Sequence, residues 1–283
     1  MLPKESECNL INHESLRISS GTEILILAGG KGSRLKESTD PELLSKPKPL
    51  ISINTNRGEL PMIDYVILNL TDAGFTNLTF LTSDDVDACG DDIEQHVLSM
   101  YDGRFNISFS REKFPLGTAG AAYLAMQDSN IETAIITPAD TLFPFSLLPR
   151  ALQIHKESQS KLTWMVTTNP GEGAQNSGRV LVDEATGIIK HSLEGVQVDP
   201  KAFCREGLIP TTSVGLVISD RDYYIARYQE YVNIFQQNGP TDLYRNLIPW
   251  LVSIGYQIST FDIMQPAPDL GTPDRLLRFG RGS

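Results

Sequence analysis

The chain has 283 residues, 40% apolar and 21% charged, and its 35 acidic against 24 basic side chains give a net charge of −11. One large or two small domains fit that length, and the acidic excess argues against a general nucleic-acid-binding or anionic-membrane surface. No apolar run approaches the roughly 18 residues of a transmembrane helix, and the N-terminus carries Lys4, Glu5 and Asn9 where a signal peptide needs an apolar core. A cytoplasmic protein with no membrane or nucleic-acid partner is expected, and a homo-oligomer stays open. Cys8, Cys89 and Cys204 lie far apart without metal-ligand spacing and read as reduced thiols.

Residues 1–21 are polar and aperiodic and read as an N-terminal arm. Glu23-Ile24-Leu25-Ile26-Leu27 is an apolar run of the kind that forms a buried strand. A loop dense in glycine follows, with Gly29, Gly30 and Gly32, where the backbone can approach a ligand without an intervening Cβ and successive N–H groups can form an anion nest. Lys31, Arg34, Lys46 and Lys48 add positive charge. Two familiar phosphate loops do not match: Gly32, not Ser or Thr, follows Lys31, and Leu35 stands where a GxGxxG loop needs its third glycine. A plain strand-to-helix turn with surface charge is the competing reading.

Further on, Gly58 to Pro61 reads as a turn, with Pro61 at the first helical position of a helix ending near Gly74. Leu78–Thr82 reads as a strand, Asp87–Met100 as a helix, Asn106–Ser110 as a strand, Ala119–Gln127 as a helix and Thr133–Thr137 as a strand. This alternation predicts a mostly parallel sheet with helices on both faces, in which ligands sit at the carboxyl ends of the strands. The second half is mixed: strands at Leu162–Thr168, Arg179–Val182, Ile188–Leu193 and Thr211–Ser219, helices at Asp220–Gln236 and Asp242–Ser253, and a strand at Gln257–Asp262.

Leu27-Ala28-Gly29-Gly30-x-Gly32-Ser33-Arg34-Leu35 followed by Pro47-Lys48-Pro49-Leu50 resembles the signature of the sugar-1-phosphate nucleotidyltransferases. Leu116-Gly117-Thr118-Ala119-Gly120 is similar to the mannose-1-phosphate and heptose-1-phosphate guanylyltransferase branch. The resemblance implies a Rossmann-like α/β domain over 22–283, with a nucleotide half to about 145, a sugar-binding half beyond it, and no β-helix tail. It implies that Leu27 to Ser33 wrap an NTP, that Arg34 and Lys48 hold its phosphates, and that the insert from Lys36 to Ser45 is a mobile flap. It also implies that Asp140 and Asp269 bind Mg²⁺; a hard cation of this kind commonly takes one or two carboxylates plus substrate phosphates.

The same resemblance puts a base-reading side chain at Glu112, ahead of Leu116, Gly117 and Thr118. A carboxylate only accepts hydrogen bonds, which suits the two adjacent donors of guanine and points to GTP. On the acceptor side the chain departs from the family. Leu193-Glu194-Gly195 replaces the usual Glu-Lys-Pro, so the phosphate-contacting lysine is absent and Lys190 is a possible substitute. Ser213-Val214-Gly215, preceded by Thr212, replaces Asn-Ala-Gly, and Gly178 follows Ser177 instead of an aromatic residue. Gly178, Glu194, Thr212 and Ser213 are the expected acceptor contacts. Other NTPs, a non-sugar acceptor such as phosphocholine, and a silent nucleotide-sugar sensor are the rival readings.

Overall fold

Thr22–Leu27 forms β1, the central strand, and Ile24, Leu25 and Ile26 are fully buried because helices cover both of its faces. The computed structural model describes residues 21–33, 35, 45–158, 160–171, 179–193, 207–236 and 239–281. Residues 1–20 of the arm, Arg34, positions 36–44 of the flap, Gly178, Glu194, Cys8 and Cys204 lie outside them.

β1 pairs in parallel with β4 (Asn77–Ser83) on one side and β6 (Thr133–Pro138) on the other, and β4 pairs in parallel with β5 (Asn106–Glu112). β10 (Leu208–Asp220) lies antiparallel between β6 and β7 (Leu162–Thr167), and β11 (Ser259–Asp262) runs parallel to β7. β8 (Arg179–Asp183) and β9 (Ile189–Ser192) extend from β10 as a hairpin. The sheet order among the described residues is β11-β7-β10-β6-β1-β4-β5. The chain leaves β1 first toward β4 and returns on its other side at β6, so β1 marks the topological switch point where open α/β sheets bind ligands.

On one face of the sheet, α1 (Met62–Asp72), α2 (Gly90–Tyr101) and α4 (Leu148–Glu157) pack on Ile24, Ile26, Phe80 and Ile135. On the other, α3 (Gly117–Gln127), α5 (Arg221–Phe235) and α6 (Ile248–Ser253) pack on Leu25, Ile136, Trp164 and Val217. A third, smaller cluster joins Leu35, Ile51, Ile53, Met62, Leu142, Leu270 and Leu276, the last from α7 (Pro273–Arg281).

Three expectations need correcting. Gly58–Pro61 is not a turn but β3, paired with β2 (Ser52–Thr55); Gly58 supplies the positive φ of +96° at the bend, and α1 begins at Met62, after Pro61. The helix expected over 242–253 starts as a π-helical turn, Leu243–Leu247, before α6. There the Leu247 N–H reaches back to the Asp242 carbonyl, and Pro249 offers no N–H to continue the ladder. α4 and α7 are additions. In α4, Leu148, Ala151, Leu152 and His155 fall at helical spacing on its buried face.

Candidate active site

The glycine loop leaves β1 at the switch point and is shaped by its neighbours. Ala28 donates its N–H to the Leu81 carbonyl (3.0 Å), which presses the loop on β4. A Cβ at Gly29 would lie 3.2 Å from the Thr82 backbone carbon, so a side chain there is crowded by main chain. Gly32 has φ +60°, and the chain then closes a turn through Leu35 N–H to the Gly32 carbonyl at 2.8 Å. Gly30, Gly32, Lys31, Lys46 and Lys48 line one wall of a cleft, faced by Val86 to Cys89 and Asp92. Lys31 is held by Asp85 at 2.6 Å. A strongly acidic protein thus concentrates lysines where a polyanion would lie against free loop amides.

Lys48 opens a 3-10 turn, Lys48–Leu50, and forms an ion pair with Asp140, just past the end of β6. Asp269 comes from a distant segment that is stitched to the same place. Thr141 and Asp269 form an antiparallel bridge, Leu270 N–H bonds the Asp140 carbonyl (2.9 Å), and Leu142 N–H bonds the Pro268 carbonyl (3.0 Å). Leu35, Ile51, Leu142 and Leu270 of the third cluster each stand within three residues of one of these elements, so one small apolar core registers the loop, the lysine and both carboxylates.

The three charges converge on Gly271. A Cβ there would lie 2.6 Å from Oδ1 of Asp269, 3.1 Å from Nζ of Lys48 and 3.4 Å from Oδ2 of Asp140. Asp269 also accepts the Gly271 N–H at 2.6 Å and pairs with Arg275. Burial pushes the Asp269 carboxyl above the usual carboxylate range; the charge of Asp140 adds to this, while Lys48 and Arg275 oppose it. Two repelling carboxylates over a cradle without a side chain suit a hard divalent cation. Among the described residues no group of three or more His, Cys, Asp and Glu is placed to hold a metal ion.

Glu112 ends β5 and is 9% exposed. Its Oε2 accepts the Leu116 N–H at 2.8 Å, which folds Lys113 to Leu116 into a tight loop. Burial raises its pKa, against the hydrogen bonds from Leu116 and Ser83. The loop is clamped from outside by residues the sequence reading did not use. Thr241 N–H bonds the Leu116 carbonyl (2.8 Å) and Ala119 N–H bonds the Thr241 carbonyl (2.9 Å); the Thr118 hydroxyl accepts the Leu243 N–H (2.7 Å). Gly117, at φ +74°, is required there: a Cβ would lie 2.5 to 2.8 Å from the Thr241 backbone. Pro240 before Thr241 is a local turn signal, and local sequence does not connect that turn to the Leu116 loop.

Of the residues expected to contact an acceptor, Thr212 and Ser213 pair with Thr167 and Val166 of β7, ahead of the Val217 to Asp220 stretch of β10 that pairs with β6. The Ser213 hydroxyl accepts from Trp164 Nε1 (3.1 Å) and from Gly215 N–H (3.2 Å). Thr212 accepts from Arg179. Lys190 pairs with Asp183 at 4.0 Å, at the far end of β8 from Thr212.

Residues 23–194 match the profile of the nucleotidyl transferase family. Among curated proteins, the mannose-1-phosphate guanylyltransferase catalytic subunit beta of Drosophila pseudoobscura pseudoobscura is 30% identical over 184 residues, 64% of this chain and 45% of that protein. The mannose-1-phosphate guanyltransferase of Saccharomyces cerevisiae is 28% identical over 261 residues, 89% of this chain and 62% of that protein. The chain therefore spans less than two thirds of the length of these relatives. Among solved structures, HddC from Yersinia pseudotuberculosis complexed with GMP-PN superposes with a TM-score of 0.65 at 19% identity, covering 92% of this chain and 98% of that one. The inositol-1-phosphate CTP transferase of T. maritima gives 0.65 at 20% identity, covering 90% and 91%. At those identities the likeness is one of fold. With the profile running from β1 past the β8–β9 hairpin, through the glycine loop, Lys48, Glu112 and Asp140, the chain belongs to the nucleotidyl transferase family.

Proposed function

We propose that the protein transfers a nucleotidyl group from an NTP, GTP by preference, to a sugar 1-phosphate, releasing pyrophosphate and forming an NDP-sugar. The observation that carries this reading is the convergence of Lys48, Asp140 and Asp269 on Gly271, beside a loop of bare amides at the switch point of the sheet. The named activity of the curated relatives supports it.

An oxygen of the acceptor phosphate attacks the α-phosphorus of the NTP. The new O–P bond forms as the bond from the α-phosphorus to the bridging oxygen breaks, and that electron pair leaves on pyrophosphate. The nucleophile is already anionic, so no general base is needed. Transfer of this kind depends on in-line positioning and charge neutralisation. Gly29 to Ser33 wrap the nucleotide and offer amide donors, with Leu27 and Ala28 at their base. Arg34 and Lys31 meet the departing phosphates. Lys48 leaves Asp140 to bridge the α-phosphate and the incoming phosphate. Asp140 and Asp269 would hold Mg²⁺, which would neutralise charge on the phosphate oxygens. Glu112 accepts from the base while Leu116 to Thr118 support it, and Thr212 and Ser213 contact the acceptor, together with the Gly178 and Glu194 that the family resemblance implies.

Asp140→Asn and Asp269→Asn test the pair. Each is expected to lower turnover by at least about 100-fold at low Mg²⁺, because a lost ligand charge weakens the site that neutralises the transition state, while each variant melts as a folded protein. Pyrophosphate release measured against Mg²⁺ concentration checks it; near-normal turnover at low Mg²⁺ in either variant rules out the assigned pair.

A further inference from the structure

The Asp269 carboxylate is held over the Gly271 cradle by contacts inside one short segment. Its Oδ1 accepts the Gly271 N–H at 2.6 Å and is the atom nearest the space that a Cβ at Gly271 would fill, with Nζ of Lys48 and Oδ2 of Asp140 next. Its Oδ2 accepts instead from Nη1 of Arg275, in the first turn of α7. The two oxygens thus have separate duties, one toward Asp140 and Lys48, the other toward the helix.

Both ends of the segment are anchored. The Thr272 carbonyl accepts the N–H groups of Arg275 and Leu276, each at 3.1 Å. Leu270 and Leu276 are buried in the third apolar cluster with Leu35, Ile51 and Leu142. The backbone of Arg275 is therefore fixed relative to Asp269, and its side chain is only 22% exposed. Lys48 differs: it reaches Asp140 from a separate turn and exchanges that partner for phosphates in the reaction above. Of the two cations paired with these carboxylates among the described residues, Arg275 is the one that stays. Carboxylates that ligate metals are themselves hydrogen-bonded, which orients them, and a guanidinium suits the task because it is always charged and donates from a rigid fork. A carboxylate oxygen that accepts one such bond keeps another lone pair, so the pairing leaves Asp269 able to take an ion.

We propose that Arg275 is a positioning residue for the metal: it fixes the Asp269 carboxylate with Oδ1 facing Asp140 and thereby sets the affinity of the pair for a divalent cation. This rests on the assignment of Asp140 and Asp269 to Mg²⁺ in the reading above.

In the test, Mn²⁺ is titrated onto the full chain as a paramagnetic stand-in for Mg²⁺, with and without the α,β-methylene analogue of GTP, and the free ion is read by electron paramagnetic resonance. Arg275→Ala is expected to weaken binding about 10- to 100-fold, the range for losing a partner of a metal ligand, and Arg275→Lys by less. Removing a positive charge near a cation would by itself tighten binding, so weakening separates orientation from simple electrostatics. The Mg²⁺ concentration for half-maximal pyrophosphate release should rise in step, with turnover recovering at saturating Mg²⁺. Affinity equal to that of wild type, or tighter, overturns the proposal. Loss of a cooperative melt in both Arg275 variants makes Arg275 a folding residue and overturns it too, as does an Asp269→Asn variant that binds Mn²⁺ like wild type. Each of these results leaves nucleotidyl transfer standing if wild type releases pyrophosphate from an NTP and a sugar 1-phosphate. If it releases none with any such pair, the transfer reading fails, while the Mn²⁺ titration still decides the role of Arg275.

Discussion

Charges that repel in isolation are set facing each other at Asp140 and Asp269, with Lys48 between them. Their types and order were legible in the sequence. Their meeting was expected from the family resemblance and not from local sequence, because it depends on the bridge from Thr141 to Asp269, 128 positions apart in the chain, and on the pairing of Asp269 with Arg275. Glu112 was expected from the family resemblance to read the base; what the structure shows is that its Oε2 holds the Leu116 N–H. Glu112→Gln separates the two. The amide keeps an oxygen for Leu116 but presents an NH₂ where guanine also donates, and such a buried mismatch costs on the order of 1–3 kcal/mol. The ratio of kcat/KM for GTP to that for UTP should fall about tenfold or more, read by competition between the two nucleotides. A ratio unchanged by the substitution would confine Glu112 to bracing the loop.

At the scale of elements, the glycine loop works because β4 presses on it, and the loop after β5 works because Thr241 clamps it. Gly117→Ala should therefore damage both stability and nucleotide binding. Strained backbone costs on the order of 1–3 kcal/mol, and about 2–4 °C of Tm follows each kcal/mol in a chain of this size; melting curves and KM for GTP measure the two effects, and a variant as stable as wild type contradicts the clamp. The α4 helix is tied to the sheet by His155, 1% exposed, whose Nδ1 meets Thr163 (2.8 Å) and whose Nε2 meets Asp220 (3.2 Å) beside Lys161. Burial lowers its pKa, with Asp220 opposing. The unfolded chain then takes up the proton first, so stability present above about pH 6.5 is lost as the pH falls below it. Wild type should lose more Tm than His155→Gln between pH 7.5 and 5.5; parallel curves would contradict this. The strand-helix alternation through β6 was readable from apolar periodicity. The β2–β3 hairpin was not, since Gly58 and Pro61 signal a turn locally and pairing alone makes them a strand.

In the whole molecule, a sheet with its switch point at β1 brings the loop, Lys48 and both carboxylates together, while antiparallel β10 and its β8–β9 hairpin continue the sheet beyond β6. No helix among the described residues is long and apolar enough to cross a membrane. The parallel half was legible because buried parallel strands read as continuous apolar runs; β8, β9 and β10 were legible as strands as well, but the slip in register after Ser213 was not, because it depends on the pairing with β7. The central claim is group transfer at the α-phosphorus. GTP labelled at that atom, incubated with the full chain, Mg²⁺ and mannose 1-phosphate, should pass its label into a nucleotide sugar, with one unlabelled pyrophosphate released for each product formed and both lost in Asp140→Asn. Label that stays in GTP, GDP or GMP with mannose 1-phosphate and with every other NTP and sugar 1-phosphate pair would contradict the account.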